Sequence, residues 1–288
     1  MSELQNIPFD EDLVAARRKR AFQKEPAGHF LLARAIEDMT DRLLTVSRKF
    51  KAPVTLFCGG SDTTDALRRL YPESKSEQLE TDRKFLKSGG LIGAPANFGL
   101  EHAQHDLAVS LLAAHAVNDL TGFLIQSRLC LKPDGLFLGC LLGAGTLQEL
   151  REVLLETEIE LYGGASPRIA PFADVRDMGG LLQRAGFALP VTDSETLTVR
   201  YDSIFKLIAD LRAMGLGNAL NARSRKPLTR AFWARAAEIY ATKYSDVDGR
   251  IRVTFSIIWL SGWAPSPSQP KALKPGSAKV SLRDILEV

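Results

Sequence analysis

Thr55-Leu56-Phe57-Cys58-Gly59-Gly60-Ser61-Asp62 joins a short apolar run, Val54 to Cys58, to a segment of helical character, Asp62 to Leu70. A strand that ends on glycines and feeds a helix is the local form of a nucleotide-type cofactor loop. Glycine suits that place because it allows a tight turn and lets the backbone approach a ligand closely. Asp62 and Asp65 stand at the start of the helix, where acids cap it and complement its dipole.

Upstream of this stretch, Leu31, Leu32, Ala35, Ile36, Met39, Leu43 and Leu44 recur at helical spacing within 29–50. Downstream, strand and helix patterns alternate. Strands are expected at 76–80, 89–95, 106–112, 136–142, 196–201 and 252–263, and helices at 120–131, 146–161, 174–185, 203–214 and 232–243. Asp106 to Leu112 and Leu136 to Leu142 are continuous apolar runs, as expected of strands covered on both faces. Lys132-Pro133-Asp134-Gly135 reads as a turn. Thr146 with Glu149 has the spacing of a capping box, and Gly186 has the position of a C′ glycine. Together these patterns predict an α/β fold: a doubly wound, mostly parallel sheet with helices on both faces. Ligands of such sheets bind beyond the carboxyl ends of the strands, which puts Cys58 to Asp62 at the mouth. The expected division is a charged helical segment over 1–26, the α/β domain over 27–264 and a Pro/Ser/Lys-rich tail over 265–288.

The composition is that of a soluble globular protein, with 45% hydrophobic and 25% charged residues in 288. A net charge of +3 gives no electrostatic case for nucleic acid. Arg17-Arg18-Lys19-Arg20 reads as a solvated helix face. Cys58, Cys130 and Cys140 lie in or beside apolar runs and have no zinc spacing, which points to core thiols in a reducing compartment. No run is long and apolar enough to span a bilayer. With no secretory or transit signature in the first residues, the cytoplasm is the expected location.

Further blocks carry a resemblance. They are His115-Ala116-Val117-Asn118-Asp119-Leu120, Leu131 to Gly135, Gly145-Thr146-Leu147-Gln148-Glu149-Leu150-Arg151, Gly163-Gly164-Ala165-Ser166-Pro167-Arg168-Ile169-Ala170-Pro171-Phe172, Arg184-Ala185-Gly186-Phe187 and Gly276-Ser277-Ala278. In this order the chain resembles the class I S-adenosylmethionine (SAM) methyltransferase-like family. Within it, the chain is most similar to the branch of mitochondrial complex I assembly factors and their bacterial relatives. The malonyl-carrier-protein methyltransferases are more distant. The resemblance implies a seven-stranded sheet with an antiparallel last strand, SAM across the ends of the first three strands, and a role in complex I assembly. The chemistry it implies is methyl transfer or arginine hydroxylation on a protein substrate.

Carried over residue by residue, the resemblance assigns Cys58, Gly59, Gly60 and Glu80 to the cofactor, with Glu80 suited to a ribose diol. The family's loop acid falls on Thr55, its first glycine on Phe57 and its third on Ser61. The acid of the next strand end falls on Ala94, near Asn97. On this reading the Phe57 ring intrudes on the cofactor and Thr55 offers no charge to an ammonium. Two lost charged contacts weaken binding by about 10²- to 10⁴-fold. His115, just past an apolar strand, is the candidate catalytic base or orienting residue. His102 and His105 lack a further ligand, and no metal site is expected. Two functions stay open: a SAM-dependent enzyme acting on a protein, and an inactive scaffold or assembly chaperone that binds protein partners.

Overall fold

Strand β1 (Pro53–Leu56) is buried along its whole length and organises the sheet. In this computed structural model, which describes residues 7–23, 29–87 and 89–270, β1 pairs in parallel with β2 (Glu77–Glu80) on one side. On its other side it pairs in parallel with β4 (His105–Leu111). The chain runs outward from β1 through β2 to the short β3 (Leu91–Ile92), then returns to β4. That reversal is the switch in strand order beside which open α/β sheets bind ligands. Beyond β4 lie β5 (Leu131–Leu142), β7 (Ile251–Trp263) and β6 (Ala188–Tyr201), in the order β3-β2-β1-β4-β5-β7-β6. The last strand, β7, is antiparallel to both neighbours. The expected doubly wound, seven-stranded, mostly parallel sheet is therefore the observed one.

The apolar runs alternate between two covered faces. In β5, Leu136, Leu138 and Cys140 join one cluster, while Phe137 and Leu141 join another. In β7, Ile257 and Trp259 divide from Ile258 and Leu260 in the same way. This period of two over continuous apolar sequence explains why no polar alternation marks these strands. One face is covered by α2 (Phe30–Leu44) and α3 (Asp62–Leu70), continued by α5 (Gln148–Tyr162), α7 (Ile204–Ala213) and α8 (Arg230–Tyr244). The other carries α4 (Leu120–Leu129) and α6 (Val175–Arg184). Helix α1 (Glu11–Phe22) precedes them all and buries only Ala21.

Two local expectations are corrected. Lys132 to Gly135 does not stand as a turn ahead of a strand. It lies inside β5 as an irregularity, with His105 opposite Leu131 and Leu107 opposite Leu136. Thr146 and Glu149 form no capping box, because the residue before α5 is Leu147 at φ 56°. Thr146 Oγ1 instead donates to the Ser256 carbonyl at 3.0 Å, and Glu149 Oε2 accepts from Thr254 N at 3.0 Å. Their capacity is spent clamping α5 to β7. Gly276-Ser277-Ala278 and most of the expected tail lie outside the described residues. No helix among those described is long and apolar enough to cross a membrane.

Candidate functional site

The carboxyl ends of β1, β2 and β4 converge where the sequence placed the mouth. Glu80, the last residue of β2, is buried, and its Oε1 accepts from Gly59 N at 2.8 Å and Gly60 N at 3.4 Å. Gln78 Nε2 lies 3.4 Å from the same oxygen and also donates to the Gly60 carbonyl at 2.8 Å. Both glycines have left-handed backbone, with φ of 77° and 127°. Burial raises the Glu80 carboxyl above its ordinary range, opposed by the Arg18 guanidinium and the Gly59 N–H. Gly59, Gly60 and Glu80 thus come together, with both glycine N–H groups directed at Glu80 Oε1.

Phe57 corrects the steric expectation. At φ 56° its ring turns away from the mouth and into the core, with ring centroids 5.2 Å from Phe98 and 6.1 Å from Phe123. Its side chain is fully buried. Thr55 likewise faces inward, its hydroxyl 2.7 Å from that of Thr64 on α3. Neither residue presents a side chain to the crevice. Cys58 is buried, and its Sγ accepts from Leu111 N at 3.3 Å. Burial pushes its thiol up to about 12, so it stays protonated. Ala94 and Asn97 are paired with each other backbone to backbone, at 2.9 and 2.8 Å.

What obstructs the crevice is α1, a contact that no local sequence signal announced. Arg18 Nη2 donates to the Phe57 carbonyl, Lys19 pairs with Asp82, and the Phe22 and Phe85 rings lie 5.0 Å apart. A Cβ at Gly60 would meet the Phe22 ring at 2.7 Å, and one at Gly59 would lie 3.5 Å from Arg18 Nη2. The segment before α1 is held by Asn118, which accepts from Phe9 N at 2.9 Å and donates to the Phe9 carbonyl at 3.0 Å. Part of the basic run 17–20 therefore works inside the molecule rather than as a solvated face. With α1 so placed, the Phe57 carbonyl at the end of β1 accepts from the Arg18 guanidinium, and the Phe22 ring lies over Gly60.

His115 follows β4, in a single 3-10 turn (Ala114–Ala116), and lines the cavity at the crevice together with Arg18, Cys58, Gly59 and Arg168. Burial, with Arg18 nearby, pushes its imidazole down to about 3. A neutral ring of such low basicity is a poor general base near neutral pH. Its Nδ1 is buried without a partner among the described residues. Asp119 caps α4 by accepting from Gly122 N at 2.7 Å. His105 is buried in β4, its Nδ1 3.3 Å from the Ala52 carbonyl, and His102 does not join it in a metal cluster. No group of three or more His, Cys, Asp or Glu suited to a metal ion occurs among the described residues.

No protein-family model matches the chain. A relative from Danio rerio named arginine-hydroxylase NDUFAF5, mitochondrial, is 35% identical over 258 residues, covering 87% of this chain and 80% of the relative. A malonyl-[acyl-carrier protein] O-methyltransferase of Laribacter hongkongensis is 28% identical over 295 residues, covering 94% and 95%. Among solved structures, a candidate methyltransferase from Bacillus halodurans superposes with a TM-score of 0.54 at 14% identity, over 80% of this chain and 98% of that one. That likeness concerns the fold. The expectation of a cytoplasmic protein is corrected by the first relative, which is mitochondrial. Buried free thiols report a reducing milieu, and the cytosol is not the only such compartment.

Proposed function

The chain belongs to the family of the mitochondrial arginine hydroxylase NDUFAF5, and from that premise we propose that it acts in the assembly of respiratory complex I by engaging a protein partner, with its cofactor crevice held shut by α1. The observation that carries this reading is the closure itself: Arg18 on the Phe57 carbonyl and Phe22 over Gly60. A chain that fills its own crevice with a guanidinium and an aromatic ring is suited to presenting surfaces rather than to cofactor turnover. The retained Glu80–Gly59 contact favours a second reading, in which α1 lifts, SAM enters and the partner is modified on an arginine.

Calorimetry and melting of the full chain with millimolar SAM or S-adenosylhomocysteine separate the two. A ligand at 100 times its dissociation constant stabilises by about 2.7 kcal/mol. The shut-crevice reading expects no shift, and a saturable shift would overturn it. Complementation of a strain lacking the protein supplies a second arm. Glu80→Gln should restore complex I assembly as well as the unaltered chain does, whereas an obligatory cofactor step would leave it defective.

A further inference from the structure

On the outer side of α5, Leu155, Ile159 and Tyr162 recur at the i, i+4, i+7 spacing of one helix face, and they are 45%, 54% and 53% exposed. The stripe does not end with the helix. The Tyr162 ring stacks on Phe232 with 6.0 Å between centroids, Phe232 meets Trp233 edge to face at 5.7 Å, and Trp233 tilts against Phe205 at 6.5 Å. Phe205 is itself 56% exposed. An apolar ridge therefore runs from α5 across the first turn of α8 to the first turn of α7. Single exposed apolar side chains are ordinary, whereas contiguous ones mark contact surfaces. Exposed cations border the ridge. Arg151 stands one turn before Leu155, Arg230 one turn before Trp233, and Lys206 beside Phe205. Lys226 leads into Thr229, whose hydroxyl lies 3.5 Å from that of Tyr162. None of the four enters an ion pair among the described residues. The neighbouring acids are engaged: Lys243 pairs with Glu156, Arg235 with Glu160 and Glu238, and Tyr244 donates to Glu152. On the far side of the ridge, Asp210 faces Tyr201 and Asp202 lies near Arg250.

We propose that this ridge docks an amphipathic helix of a partner protein, with the helix laying apolar residues along the ridge and carrying Asp or Glu on its flanks. The assignment rests on the reading above, in which the chain engages a protein partner, and it names the surface and the partner's chemistry. Amphipathic helices bind through anchors at i, i+3, i+4 and i+7, the periodicity that Leu155, Ile159 and Tyr162 present. Exposed Tyr and Trp are the side chains that contribute most when such contacts form. The four free cations choose the sign of the partner. Acids on its flanks gain charge-assisted hydrogen bonds, while bases meet like charge. A second copy of this face would set the same cations against one another, so charge disfavours self-association. None of the ridge side chains lines the crevice, so docking and the closure by α1 are separate features.

Fluorescence polarisation tests this with the full chain and two labelled helical peptides. Both carry Leu at i, i+4 and i+7; one has Glu on its flanks and the other has Lys at the same positions. The Glu peptide should bind saturably, about tenfold or more tighter than the Lys peptide, and should weaken as salt is raised. Ile159→Gln and Phe205→Gln should each weaken it by about tenfold, the scale of one lost apolar anchor. Arg230→Glu should narrow the preference between the peptides. Absence of saturable binding, equal affinity for the Lys peptide, or indifference to all three substitutions would overturn the assignment. So would self-association of the unaltered chain that Ile159→Gln abolishes, since a second copy would then occupy the ridge. Should a variant fail to fold, the discrimination between peptides by the unaltered chain still decides. Melting with SAM reads the crevice on the same sample and shares no residue with the ridge, so the two readings fail separately.

Discussion

Phe57 combines a glycine-like backbone with a core side chain. Left-handed φ costs a non-glycine residue roughly 1–2 kcal/mol, while burying the ring against Phe98 and Phe123 offsets more than that. Phe57→Gly should therefore destabilise by about 2–4 kcal/mol in urea unfolding, the usual cost of emptying a buried aromatic site less the relieved strain. A loss below about 1 kcal/mol would show that the ring is dispensable. His115 gives a pH prediction. Its folded value of about 3 lies below the ordinary 6.5, so between them the unfolded chain binds the extra proton. Its contribution to stability is complete above the unfolded value and is lost as pH falls toward 3. His115→Phe should flatten the acid limb of melting temperature against pH between these values. An unchanged limb would mean that the ring is protonated in the folded state.

Helix α1 is tied down by few strong interactions. Only Ala21 is buried, and the Lys19–Asp82 pair is partly exposed, so solvent screens it. Further hold comes from Phe22 on Phe85, Arg18 on the Phe57 carbonyl, Asn118 on Glu11 at 2.8 Å, and Asp10, whose carboxylate caps the helix and pairs with Arg223 at 2.8 Å. Such an element opens at less cost than the core helices. Arg18→Gln with Phe22→Ala should leave the sheet folded, lower its stability by about 1–3 kcal/mol, and raise SAM affinity at least about tenfold by calorimetry. If affinity falls instead, Arg18 assists the nucleoside and the helix is no barrier.

On the scale of the molecule, the sheet seals every thiol. Cys58, Cys130 and Cys140 are free and buried, with their ionisation pushed upward chiefly by burial. Cys58 and Cys140 pack in the cluster under α2 and α3, whereas Cys130 packs in the one under α4 and α6. A thiol reagent should label none of them in the native chain on mixing, and all three in denaturant. Slow native labelling should reach Cys58 and Cys140 together, because one opening event exposes both. Separate rates would show that the face under α2 and α3 does not open as a unit.

The order of strands and helices was legible because it depends on local periodicity. The apolar runs at 106–112 and 136–142, the glycines after β1 and Gly186 at the end of α6 each act within a few residues of themselves. The same held for Gly59, Gly60 and Glu80 as neighbours, since strand ends in this topology converge whatever else the chain contains. Three things were not legible, for one reason. The inward turn of the Phe57 ring, the use of Thr146 and Glu149 on β7, and the closure of α1 over the mouth all depend on partners from 39 to 110 residues away. A composition pattern fixes which face of an element is apolar, but only assembled packing decides which distant group spends each hydrogen bond. The sequence by itself determined the scaffold and the location of the crevice; tertiary contacts decided that α1 of the same chain packs against its rim.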